Sequence, residues 1–147
     1  MKNLSKGLAT LLIAVALSFT SLVVKADKPF ANTKIVLQIS DADPSKQTLV
    51  LNVANNIIKH YGQDDVDIEI VAFGPGLRLM FADNANKGRI DSLTNAGVRF
   101  DACSNTVKGM TKLLGHAPVL NDKATVVPAG VVQIIDLTKK GYVLIKP

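Results

Sequence analysis

The sequence predicts one α/β domain, a mainly parallel sheet with helices on both faces. Three observations carry this reading. Short apolar runs of strand length recur along the chain, and stretches with helical spacing separate them. The boundaries are marked by capping and stopping residues, among them Asp43-Pro44, Gly62, Gly97 and Gly115. No linker, repeat or low-complexity segment interrupts the pattern after residue 26, so residues 27–147 read as a single domain.

Lys34 to Ile39 is an apolar run ending at Ser40-Asp41-Ala42-Asp43, a buried strand followed by a loop. Asp43 can cap a helix with Pro44 at its first position. Leu49, Val50, Val53, Ala54, Ile57 and Ile58 form its apolar stripe, and Gly62 closes it. Val66 to Phe73 is the second strand. Gly74-Pro75-Gly76 is a tight turn into a short helix at Leu77 to Phe81. A further helical piece around Ile90, Leu93 and Ala96 stops at Gly97.

Val98 to Ala102 is the third strand. Ser104 or Asn105 can cap a helix carrying Val107, Met110, Thr111 and Leu114 on one face, ended by Gly115. Thr125 to Val127 is the fourth strand. Val131 to Leu137 is β-branched and locally ambiguous, but Lys139 and Lys140 before Gly141 favour a helix. Tyr142 to Ile145 is the fifth strand, and residues 27–33 read as a loose lead-in.

The first 26 residues read as a secretory signal peptide. Lys2 and Lys6 precede an apolar run from Leu8 to Leu17, and Val24-Lys25-Ala26 places small residues before a cut ahead of Asp27. An uncleaved anchor is the alternative, although Ser18, Thr20 and Ser21 interrupt a span that needs roughly 20 apolar residues. Export to the periplasm or beyond is the expectation, with no stable membrane insertion after cleavage. The leader also accounts for much of the formal charge of +5: without it, 14 basic groups face 12 acidic ones. Scattered cations and few aromatics then point away from nucleic acid.

A single Cys excludes an internal disulfide framework and a multi-Cys zinc site. Two isolated histidines, His60 and His116, sit at expected helix ends and give no metal site. No cofactor motif is complete, since Gly74-Pro75-Gly76 lacks the spacing of a dinucleotide or P-loop. That turn can offer backbone N–H groups to an anion, or simply need glycine for its angles. Asp64-Asp65-Val66-Asp67 reads as a solvated turn, and Leu77, Met80 and Phe81 as core or a subunit contact.

Ligands in such sheets collect beyond the carboxyl ends of the strands. Four loops emerge there: Ser40 to Asp43, Gly74 to Gly76, Cys103 to Thr106 and Pro128 to Gly130. Cys103 lies on one of them, just before a helix whose N-terminus lowers a thiol's pKa. Asn105 and Thr106 can donate side-chain hydrogen bonds nearby where those side chains are not used in capping. In an exported chain this Cys is buried, reactive, or paired between chains.

The segment Gly97-Val98-Arg99-Phe100-Asp101-Ala102-Cys103-Ser104-Asn105-Thr106 resembles the strand-to-helix segment of the DsrE/DsrF-like family of small sulfur-relay proteins. Phe73-Gly74-Pro75-Gly76, Val127-Pro128-Ala129-Gly130 and Lys140-Gly141-Tyr142 are similar to that family as well. The resemblance covers Lys34 to Pro147. It implies a three-layer α/β/α sandwich around a five-stranded parallel sheet in the order 4-3-2-1-5, and homo-oligomers, commonly trimers or hexamers. It further implies a persulfide on Cys103 passed to or from a partner's thiol, with Asn105, Thr106, Gly74, Pro75 and Gly76 shaping the pocket. The chain departs from the better-studied relatives, which are cytoplasmic, in carrying an export signal. A sulfur carrier or sulfurtransferase is therefore the first expectation. The alternative is a non-enzymatic oligomeric binding module for a small anionic or organic ligand, with Cys103 lining its pocket. A purely structural role is a third.

Overall fold

The computed structural model describes residues 28–147. The leader read over residues 1–26 lies outside them.

Strand β1 spans Thr33–Ile39, β2 Val66–Ala72, β3 Arg99–Cys103, β4 Ala124–Val127 and β5 Val143–Ile145. All pair in parallel, in the order β4-β3-β2-β1-β5. Helix α1 spans Pro44–Tyr61, α2 Lys87–Asn95, α3 Ser104–Leu114 and α4 Gly130–Lys139, and a 3-10 helix covers Gly74–Met80. The expected three-layer sandwich and strand order are therefore observed.

The order decides which face each helix covers. The chain steps the same way from β1 through β4, so right-handed crossovers put the intervening helices on one face. The step from β4 back to β5 reverses direction and carries α4 to the other.

On the first face Ile35, Leu37, Ile68, Ile70 and Phe100 meet Val50 and Leu51 of α1, Leu77 and Met80 of the 3-10 helix, and Ile90 of α2. Each fully buried side chain of this kind stabilises by about 1.5–3 kcal/mol. The expectation that Leu77 and Met80 are core holds. Under α4 a smaller apolar cluster joins Val36 and Val71 to Ile134, Leu137 and Tyr142. The rest of that interior is polar.

Local signals act as the sequence indicates at both ends of α1. Asp43 Oδ1 accepts the Ser45 N–H at 2.8 Å, and the Gly62 N–H bonds Ile58 O at a φ of 91°. The β-branched segment around Val131 is helical. Three readings need correction. The 3-10 helix begins at Gly74 itself, because Pro75 fits the first turn and φ is already set there. The lead-in is tied down: the Lys28 N–H reaches Asp67 Oδ2 at 3.0 Å, and Ala31 is buried. Asp67 is not in a solvated turn. It is fully buried in β2, because an ion pair with Arg99 offsets the desolvation of its carboxylate.

Candidate functional site

The four loops at the carboxyl ends of the strands lie where the topology requires. Because β3 sits between β2 and β4, Cys103 is flanked by the Gly74 and Pro128 turns. Cys103 is the last residue of β3 and also the N-cap of α3, with no side-chain cap bond. The expectation of a Ser104 or Asn105 cap is thus corrected: the strand runs into the helix without a spacer, which makes Ser104 the first helical residue. The side chain of Thr106 is free of capping and turns to the site instead.

Thr106 joins two loops. Its Oγ1 accepts the Gly74 N–H at 2.9 Å and donates toward the Cys103 sulfur. Backbone N–H groups of Gly130, Thr106 and Asn105 also point at the sulfur, so it faces the starts of both α3 and α4. Burial pushes the thiol up. The hydrogen bonds from the Thr106 hydroxyl and those three N–H groups outweigh it and hold the thiol below its ordinary value. Such a ring of donors suits an anionic sulfur.

The glycines serve this geometry. A Cβ on Gly76 would come within 2.4 Å of Ile39 O, so the 3-10 helix lies on β1 only with glycine there. At Gly130 a Cβ would sit 3.0 Å from Phe73 Cβ, which keeps the start of α4 close to the sulfur. The Gly74 N–H is used by Thr106, so the turn shapes the site through packing and this one bond and does not offer that N–H to a ligand.

Cys103 is only 5% exposed. Two openings flank it. A cleft of about 500 Å³ between the 3-10 helix and α3 is lined by Gly74, Pro75, Arg78, Thr106, Met110 and Leu113, among others. A shallower groove of about 460 Å³ runs along Asn105, Lys108 and Pro128 on the other side. Of the expected site residues, Thr106 reaches the Cys103 sulfur with its hydroxyl and backbone, and Asn105 with its backbone N–H in place of the expected side chain. Gly74 acts through Thr106, Pro75 lines the cleft and Gly76 lies beneath. His60 ends α1 away from this edge, and His116 lies beyond α3. Among the described residues, no group of three His, Cys, Asp or Glu side chains is placed to hold a metal ion.

One constellation was missed from sequence. Beneath α4, on the Cys103 face, Arg99 binds Asp67 at 2.6 Å and Glu69 at 2.7 Å. The Tyr142 hydroxyl accepts from Arg99 at 2.9 Å and donates to Asp67 at 2.6 Å. Gln133 of α4 donates to Glu69 Oε1 at 2.6 Å. Burial and Asp67 push the Tyr142 phenol up against the opposing pull of Arg99. Burial opposes the charge of Arg99, but Glu69 and Asp67 raise its pKa. The signal was present: acids on one parity of β2 and Arg99 on the matching parity of β3.

No protein-family model matches the chain, and no curated protein does. Among solved structures, it is similar to a protein of unknown function, MTH1491, from Methanobacterium thermoautotrophicum. The two are 30% identical with a TM-score of 0.71 over 79% of this chain and 100% of the other. This chain belongs to the family of that protein. The family shares the architecture described here, and its Methanobacterium thermoautotrophicum member carries no assigned activity.

Proposed function

We propose that this protein binds sulfur, and passes it on, as a persulfide on Cys103, in the manner of the DsrE/DsrF-like proteins it resembles. One observation carries the reading: the Cys103 sulfur is ringed by the Thr106 hydroxyl and the N–H groups of Asn105, Thr106 and Gly130. These donors stabilise a thiolate and equally a persulfide anion. In the loading step the thiolate attacks a sulfane sulfur of a polysulfide or of a donor protein's persulfide. The S–S bond in the donor breaks, its electron pair leaves on the donor sulfur, and transfer to an acceptor thiolate is the same exchange in reverse. Burial protects the thiol, as an exported, unpaired cysteine requires.

The leader over residues 1–26 supports a periplasmic or secreted setting. Exposed Leu113, Leu114, Val119 and Val126, on and around α3 and the edge strand β4, support association of copies into a homo-oligomer. A thiol-bearing donor or acceptor protein completes the proposal.

The 5% exposure of Cys103 and the apolar cleft beside it, which Thr106 lines and Cys103 does not, favour a second reading, a binding module with no chemistry at Cys103. Intact-mass measurement after polysulfide treatment separates the two. Sulfur transfer predicts a gain of one sulfur on the wild type and none on Cys103→Ser. No gain under conditions that load a known acceptor would overturn it in favour of the binding module.

A further inference from the structure

Three carboxyl groups and one guanidinium are enclosed between the sheet and α4. Both oxygens of Asp67 and both of Glu69 receive donors from Arg99, Tyr142, Lys28 or Gln133. Asp101 differs. Its Oδ2 is buried with no hydrogen-bond partner among the described residues, and its carboxyl lies against Glu69 and Gln133. Two buried carboxyl groups in hydrogen-bond contact do not both ionise, so one proton lies between them. Arg99 and Gln133 fix Glu69 as the acceptor, which leaves the proton on Asp101. Burial and then Glu69 push the Asp101 carboxyl up to about 9, while Glu69 is held below its ordinary value because the bonds from Asp101, Gln133 and Arg99 outweigh its burial.

Asp101 and Cys103 are two residues apart on β3, on the same face, so about 7 Å separates them along the strand. By the register of β2 with β3, the Glu69 backbone lies level with Arg99, farther from Cys103 than Asp101 is. Because the Asp101 and Glu69 carboxyls touch, a charge on Glu69 lies about 3 Å farther from the sulfur than one on Asp101. Helix α4 spans both points: its Gly130 N–H faces the sulfur, and its Gln133 holds Glu69.

We propose that Asp101 is a positioning residue for Cys103: by keeping the shared proton, it confines the buried negative charge to Glu69 and away from the sulfur pocket. The purpose of this device rests on the sulfur-binding reading above; its test does not. The other titratable groups facing Asp101 are Asp67 and Glu69 of β2, Arg99 and Cys103 of β3, and Tyr142 before β5, over whose ring Lys34 of β1 sits at 5.9 Å. Its register neighbour on β4, Thr125, is neutral. Helix α4 adds neutral Gln133, while its Asp136 and Lys139 pair with each other in solvent.

The test is the pH profile of Cys103 alkylation by iodoacetamide in the full chain. Glu69→Gln removes the acceptor of the shared proton and takes one carboxylate from Arg99, so Asp101 ionises beside Arg99 against its burial and the charge moves toward the sulfur. At an effective dielectric of about 20, bringing the charge from about 10 Å to about 7 Å raises the thiol pKa by about half a unit. Alkylation at pH 7 then slows about two- to threefold, the residual thiolate being somewhat more nucleophilic. Asp101→Asn, a neutral donor to Glu69, keeps the wild-type profile, and Glu69→Gln with Asp101→Asn returns to it. An unchanged profile in Glu69→Gln, or a double variant as slow as the single one, overturns the proposal, because lost packing is not repaired by a second substitution. Should Glu69→Gln not fold, infrared spectra of the wild type decide. A protonated-carboxyl band at pH 7 that Asp101→Asn removes is expected, and its absence from the wild type overturns the proposal. Neither readout involves sulfur uptake, so a failure of Cys103 to load sulfur leaves this result intact, and the reverse.

Discussion

Strand β3 shows both faces of the sheet within five residues. Phe100 and Ala102 point into the apolar core beneath α1 and α2, whereas Arg99, Asp101 and Cys103 point toward α4. The first face is filled by side chains that exclude water and need no particular partner. The second is filled by groups that are tolerable only with their partners in place: Arg99 with Asp67 and Glu69, Tyr142 between them, Gln133 across from α4. The apolar face gives the domain its stability. The polar face adds little net stability, since desolvation offsets much of the ion-pair gain, but it holds charged groups on the face that carries Cys103.

Adjacent substitutions on β3 test this division most strongly. Phe100→Ala should lower unfolding stability by about 3–5 kcal/mol, with little dependence on pH. Arg99→Ala should lose a similar amount, about 3–5 kcal/mol, at pH 7, because it leaves buried carboxylates without their cation. The two then part. Without Arg99 the native carboxyls titrate above their unfolded values near 4, so the deficit is largest at neutral pH and shrinks as pH falls toward about 4. Urea midpoints at pH 7 and pH 4.5 check this, and an Arg99→Ala deficit that does not shrink would remove the distinction between the faces.

Asp101 should give the next largest effect. Its native carboxyl keeps its proton up to about 9, against about 3.9 in the unfolded chain. Its contribution is therefore fully present below about pH 4 and is lost as pH rises toward about 9, with a slope of at most about 1.4 kcal/mol per pH unit. Asp101→Asn should flatten the pH dependence of the urea midpoint across that window.

The smallest change is at the junction of site and scaffold. Thr106→Val removes the acceptor of the Gly74 N–H and a donor to Cys103. Stability should fall by about 1–2 kcal/mol. The thiol pKa should rise, and alkylation at pH 7 should slow, as a stopped-flow or mass-based rate measurement would show.

Much of the architecture was legible from residue patterns. The Asp43-Pro44 start, the Gly62 and Gly115 ends and the strand runs are local signals, and local geometry satisfies them. Cys103 at a strand end before a helix was equally legible, since it depends only on the neighbouring segments. The buried charge network was not. In β2 the alternation of Asp67 and Glu69 with Ile68 and Ile70 looks like a strand with one wet face, and a sequence does not say which face a later helix will cover.

What the sequence determined by itself is therefore the set of elements, their boundaries to within about three residues, and the place of the cysteine along the chain. Capping, glycine conformation and hydrophobic period act over a few residues, and those residues are adjacent. Only the tertiary structure decided that the β4-to-β5 reversal sends α4 over the acidic parity of β2. That placement encloses Asp67, Glu69 and Asp101 with a single Arg99 and brings the Gly130 N–H to the Cys103 sulfur. The reason is physical: the charge a buried carboxyl can hold depends on groups brought beside it by strand order, and strand order is a long-range property.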